Sequence, residues 1–180
     1  MLMRELVGYQ ERVDWLGESV LSLAEVWPEG RLRAVVVGLG QTPASVHAGH
    51  RYQGGQAVNL RRLARAGLFA QPAGPVWEDV ALAAGVGFTD VVRRPIGTVF
   101  MADLRHGGPL LRRTLAEREP ELVVCLSKEP VVALLDEAFA PGVLPVRTAW
   151  GGQVFRMPLV NLPAGHMAGI LRELTMLLDR

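Results

Sequence analysis

The spacing of apolar residues changes along this chain, and the changes divide it into elements. Between residues 2 and 27, Leu2, Leu6, Tyr9, Val13 and Leu16, then Val20, Leu23 and Val26, recur three or four positions apart. That period predicts two short helices separated near Gly17-Glu18-Ser19, with Ser19 as an N-cap and with Pro28 and Gly30 stopping the second. Ala34 to Leu39 is rich in β-branched residues and predicts a buried strand. Residues 56–67 give an amphipathic helix closed by Gly67, and Pro75 to Ala84 a second helix ended by Gly85. Val86 to Val92 reads as a short strand with Asp90 near its end. Leu110 to Arg118 is helical and basic on one side, ending before Pro120. Leu122 to Ser127 is apolar almost throughout, as a central strand covered on both faces must be. Lys128 to Phe139 is helical, with Pro130 in its first turn. Val146 to Trp150 and Val154 to Val160 flank Gly151-Gly152 as the arms of a hairpin would, and His166 to Leu178 is a closing amphipathic helix.

Strands separated by helices predict an α/β fold. The expectation is a single three-layer αβα domain around a central, mostly parallel sheet of about four strands, with a C-terminal hairpin. Residues 1–180 form that domain, and residues 1–30 form a helical extension packed on it. Composition changes this picture little. A hydrophobic fraction of 49% and a charged fraction of 21% argue against disorder. No apolar run approaches the ~20 residues of a membrane span, and no signal-peptide pattern precedes Arg4 and Glu5. A monomeric cytoplasmic protein without membrane contacts is expected.

Cys125 is the single cysteine, which excludes an internal disulfide and any cysteine-built zinc or iron–sulfur site. Its place within Leu122 to Leu126 suits a buried strand residue better than a nucleophile. His47, His50, His106 and His166 are scattered without ligand spacing, so no metal is expected. Net charge is only +1, yet of the 19 basic residues eighteen are Arg and one is Lys128. Guanidinium groups fork well onto phosphate. GC-rich coding produces the same bias, so charge does not decide for or against nucleic acid.

The chemistry-bearing residues gather in four ordered blocks. The first runs Gly38-Leu39-Gly40-Gln41-Thr42-Pro43 and on to Tyr52, at the carboxyl end of the first strand, where open α/β sheets place ligands. The second is Gly87-Phe88-Thr89-Asp90-Val91-Val92-Arg93-Arg94-Pro95. The third runs from Arg105-His106-Gly107-Gly108 through Glu119-Pro120 to Ser127-Lys128, and the fourth is Leu159-Val160-Asn161-Leu162-Pro163-Ala164-Gly165-His166-Met167. Together, from about Ala24 to Leu178, they resemble the uracil-DNA glycosylase superfamily, and within it the mismatch-specific uracil/thymine branch. The resemblance implies a monofunctional, cofactor-free hydrolase. It would flip a deaminated or mispaired base out of double-stranded DNA and cut its N-glycosidic bond.

Residue by residue, the resemblance puts Tyr52 on the family's base-stacking aromatic. Gly38, Leu39, Gly40, Thr42 and His50 join it in the base pocket. Pro163, Ala164, Gly165, His166 and Met167 fall on the loop that wedges into DNA, and Lys128 on a phosphate contact. The departures are specific. The family's water-positioning asparagine falls on Gly40, which has no side chain, and the polar pair of the wedge loop becomes Leu162 and Ala164. Asp90 and Gln41 are the residues left to take the catalytic part, Asp90 orienting water or facing a cationic sugar. Each assignment has a plainer competitor. Asp90 can cap a turn or pair with Arg93 or Arg94, Tyr52 can pack over the sheet, and His50, Lys128 and the Arg112, Arg113, Arg118 face can simply be solvated. A glycosylase-fold protein that binds DNA with catalysis lost or altered is the alternative reading.

Overall fold

The computed structural model describes residues 5–180. Leu2, at the head of the predicted first helix, lies outside them. Strands β1 (Gln10–Trp15) and β2 (Glu18–Leu23) come first, then β3 (Ala34–Gly38). Helix α1 (Pro43–Ala48) and a 3₁₀ turn at Gly54–Ala57 lead into α2 (Val58–Arg65), α3 (Trp77–Ala83) and β4 (Val86–Asp90). The chain continues through α4 (Met101–Arg118), β5 (Leu122–Cys125), α5 (Lys128–Leu135), β6 (Gly142–Val143), β7 (Gln153–Arg156) and α6 (Ala164–Leu178).

The main sheet has five strands in the order β4-β3-β5-β7-β6, parallel except for the last pair. Its central strands are apolar at every position because helices cover both faces. Ala34, Val36, Phe88, Val124 and Phe155 turn to one face, under α2, α3 and α6. Val35, Val37, Val123, Cys125 and Val154 turn to the other, under α4 and α5. The αβα expectation is therefore met.

Two predicted elements are corrected. Residues 10–23 form an antiparallel hairpin instead of a helix pair. Val13 and Trp15 point inward while Arg12 and Asp14 face solvent, a period of two hidden inside a spacing that also fits a helix. Leu16 and Gly17 both have positive φ, 54° and 85°, the two-residue turn that matches strand twist. The hairpin is held from outside, since Trp15 Nε1 donates to Asp103 Oδ1 at 2.9 Å. Beyond it, Val26 bridges Phe88 and covers the β4 edge of the sheet.

The second correction concerns the C-terminal hairpin. Residues 146–150 are not a strand, and Val154 to Val160 is not one continuous strand. The antiparallel partner of β7 is β6, reached through a longer loop. Gly152 closes that loop, because a Cβ there would stand 2.6 Å from the Pro120 carbonyl oxygen. Smaller differences follow the same logic of cover by neighbours: α4 begins at Met101, nine residues before the predicted start at Leu110, and α5 ends at Leu135.

Asp103 ties the hairpin to α4. Its carboxylate accepts from Arg94, from the Phe100 N–H at 2.9 Å and from Trp15, and these donors hold its pKa down to about 2, with the Arg94 hydrogen bond the largest cause. A depressed carboxylate contributes stability that is complete above the unfolded pKa of about 4 and drains as the pH falls towards 2. Asp103→Asn is therefore expected to cost about 2 kcal/mol at pH 7, and the gap from wild type should narrow across pH 4 to 2 in urea titrations. A gap independent of pH would refute the assignment.

Candidate functional site

Parallel pairing of β3 and β4 brings the first and second sequence blocks together, with Gly38 registered beside Asp90. Glycine is required at that position. A Cβ on Gly38 would stand 2.6 Å from Asp90 Oδ1 and 2.8 Å from the Tyr52 hydroxyl. Thr42 caps α1 by accepting from the Ser45 N–H at 3.3 Å, and Gly49 ends that helix with φ 78°. The chain then turns back so that His50, Arg51 and Tyr52 lie against the strand ends.

Arg51, absent from the expected site, occupies its middle. Its side chain is fully buried, and one guanidinium nitrogen donates to Asp90 Oδ2 at 3.0 Å. Another donates to the Ala24 carbonyl, while the Arg51 backbone N–H donates to Glu78 Oε1 at 2.7 Å. Asp90 Oδ1 accepts from Gln41 Nε2 at 2.9 Å, and Gln41 Oε1 accepts from the Tyr52 N–H at 3.3 Å. The two residues expected to be catalytic are thus brought together, but as members of a buried network. Asp90 pairs with neither alternative cation: Arg93 engages Glu11 and Glu25, and Arg94 engages Asp103. Nothing in the sequence spacing marked Arg51, because its partner lies thirty-nine positions away across the sheet.

The expected stacking platform is corrected as well. Tyr52 is 7% exposed, belongs to the core under α2 and α3, and lies 5.8 Å from the Phe88 ring. Its ring has no open face for a base in this conformation. It also sits at φ 56°, an uncommon backbone for a bulky residue. Its hydroxyl finds no hydrogen-bond partner of good geometry among the described residues. Burial first, then the Asp90 charge, push its pKa up, with Arg51 and the Gln41 amide pulling the other way.

Gly40 is partly exposed, and a Cβ there would meet the Val92 carbonyl oxygen at 3.0 Å and Ile96 at 3.1 Å, so a larger residue would require those neighbours to shift. His50 is partly exposed and faces Glu78, its Nδ1 3.8 Å from Glu78 Oε2. Glu78 is fully buried, and burial raises its pKa.

The outer rim differs. Lys128 is exposed at the first turn of α5. Pro163, Ala164, Gly165 and His166 are exposed at the start of α6, whereas Met167 is 7% exposed and packs inward, so it is no wedge. The apolar tip of that loop is instead Leu159 and Val160, at 64% and 54% exposure. Both stood in the fourth sequence block but were assigned to a strand. Cys125 is fully buried, and burial pushes its thiol up to about 12, which makes it inert. No group of three or more metal-ligating side chains gathers among the described residues, and no helix among them is long and apolar enough to cross a membrane. No known family model and no curated protein sequence matches the chain.

The Arg51–Asp90 pair should behave as one unit. Arg51→Met, which strands a buried carboxylate, is expected to cost about 3–5 kcal/mol, and Arg51→Met with Asp90→Asn less than the sum of the singles. Additive losses in chemical denaturation would show that the two side chains do not stabilise each other.

Proposed function

We propose that this chain engages DNA with a uracil-DNA glycosylase-like architecture while its inner site, in the resting state, is a structural lock and not an open base pocket. One observation carries this reading. Asp90, the acid left to replace the missing asparagine, has both oxygens taken by Arg51 and Gln41 at 3.0 and 2.9 Å. Each oxygen keeps acceptor capacity, but the side chain is only 3% exposed, and turning it towards a water would break a buried ion pair. Gly40 supplies no substitute. DNA contact is assigned to the exposed loops: Leu159 and Val160 present apolar surface before α6, and Lys128 is an exposed cation at the start of α5. Apolar side chains inserted at a weakened base step, with phosphates held by cations, are a recurring way to bind deformed DNA.

A second reading, hydrolysis by an opened form, is favoured by the state of Tyr52. Its positive φ and its unpartnered buried hydroxyl are two costs that opening would relieve. In that form Tyr52 would stack the flipped base, backbone amides from Leu39 to Gln41 would hold the leaving anion, and Asp90 would turn to the water.

The two readings part in one assay. Labelled duplexes carrying G·U, G·T, hypoxanthine, xanthine or ethenocytosine are incubated with the protein, treated with alkali, and measured in parallel for affinity. The lock reading expects salt-dependent binding without alkali-labile sites, and Leu159→Ser with Val160→Ser weakening it about tenfold, roughly one aliphatic side chain's burial. Strand cleavage that Asp90→Asn abolishes would establish the hydrolase instead. Affinity with no salt slope would count against both.

A further inference from the structure

We propose that the groove between α4 and α5 is a nucleotide-binding site, taking a planar heterocycle on its floor and a phosphate at its rim. It lies on the opposite face of the sheet from Tyr52; Lys128 is shared with the DNA contact proposed above, and Arg105 and Gly108 belong to the groove alone. The first sign is a cost without a packing reason. Helix α4 carries Gly107-Gly108-Pro109 in its middle, the poorest helix-forming residues available. Gly107 is explained, because a Cβ there would stand 1.8 Å from the Val91 carbonyl oxygen. Gly108 is not. Its Cβ would meet nothing closer than 3.8 Å, so an alanine would fit.

Gly108 and Pro109 instead line a cavity of about 540 Å³, with Ala133 of α5 opposite and Leu104 and Val132 at its sides. Small residues leave its floor free of side-chain bulk, and the volume falls in the range of small-ligand sites. Pro109 has no N–H, so the Arg105 carbonyl, four residues earlier, lacks its helical donor. Two cations complete the site. Arg105 and Lys128 both line it, are exposed, and have no hydrogen-bond or ion-pair partner among the described residues. The other charges are committed: Arg112 to the Ala133 carbonyl at 2.6 Å and Asp136 at 3.3 Å, Glu129 to the Ser127 hydroxyl at 2.6 Å. A purely apolar guest would leave the cations unused, and a bare anion would leave the floor unused. A nucleotide uses the floor and the charges together.

The same chemistry comes from a free mononucleotide or from one unit of a single strand. Calorimetric titration with AMP, with adenosine and with a 12-nucleotide single-stranded DNA separates them. Saturable AMP binding, at least tenfold tighter than adenosine and weakened at least fivefold by Lys128→Ala or Arg105→Ala, supports the site and a free ligand. Binding of the oligonucleotide alone, lost in Arg105→Ala and in Gly108→Leu, supports the site and a strand, because neither residue belongs to the DNA contact proposed above. Gly108→Leu should block either while keeping the native circular-dichroism spectrum, and the two exposed-cation variants keep the test intact if it does not fold. No binding of any probe, or binding untouched by Lys128→Ala with Arg105→Ala, would overturn the proposal. Mismatch-duplex binding or cleavage that survives Gly108→Leu while AMP binding was never present would overturn the groove alone.

Discussion

One buried guanidinium holds this molecule's carboxyl-end surface in shape. Arg51 touches the segment after the N-terminal hairpin through Ala24, the end of β4 through Asp90, and α3 through Glu78. A charge withdrawn from water needs a close partner, and here an anion stands 3.0 Å from one guanidinium nitrogen and the Ala24 carbonyl accepts from another, while Nε has no partner among the described residues. That demand for pairing is what draws four chain segments, far apart in sequence, onto one point.

Much of the local geometry follows from this pairing. Asp90 must lean over the end of β3, so Gly38 must have no side chain. Gln41 must turn inward to satisfy the second carboxylate oxygen, and in doing so it receives the N–H of Tyr52. Tyr52 is then folded under α2 and α3 at a backbone angle it would not choose alone. The inner site is closed by the same bonds that stabilise it. What stays open is the loop tip, where Leu159 and Val160 face solvent, and the α4–α5 groove, where Arg105 and Lys128 do.

A comparable node fixes the amino-terminal hairpin. Two strands alone are marginal in water, and β1–β2 gains its support from Trp15 seated against α4 and bonded to Asp103, which Arg94 also holds. Arg93 adds contacts from Glu11 and Glu25. The adjacent arginines that follow β4 therefore serve the hairpin, which is why neither was available to Asp90.

The strands β3, β4 and β5 with the helices between and after them, the two-sided burial of β3 and β5 and the burial of Cys125 were legible along the chain, because each depends on neighbours a few positions apart; α1 with its Thr42 cap was read as loop. The hairpin at 10–23 was not, since its apolar residues satisfy both periods and only docking of Trp15 chooses between them. Nor was the closure of the candidate site. Residue types at Gly38, Gln41, Tyr52 and Asp90 could be read in order, but whether a carboxylate faces water or a guanidinium is decided by which distant segments the sheet brings within 3 Å, and electrostatic pairing in a dry interior has no signature in local spacing.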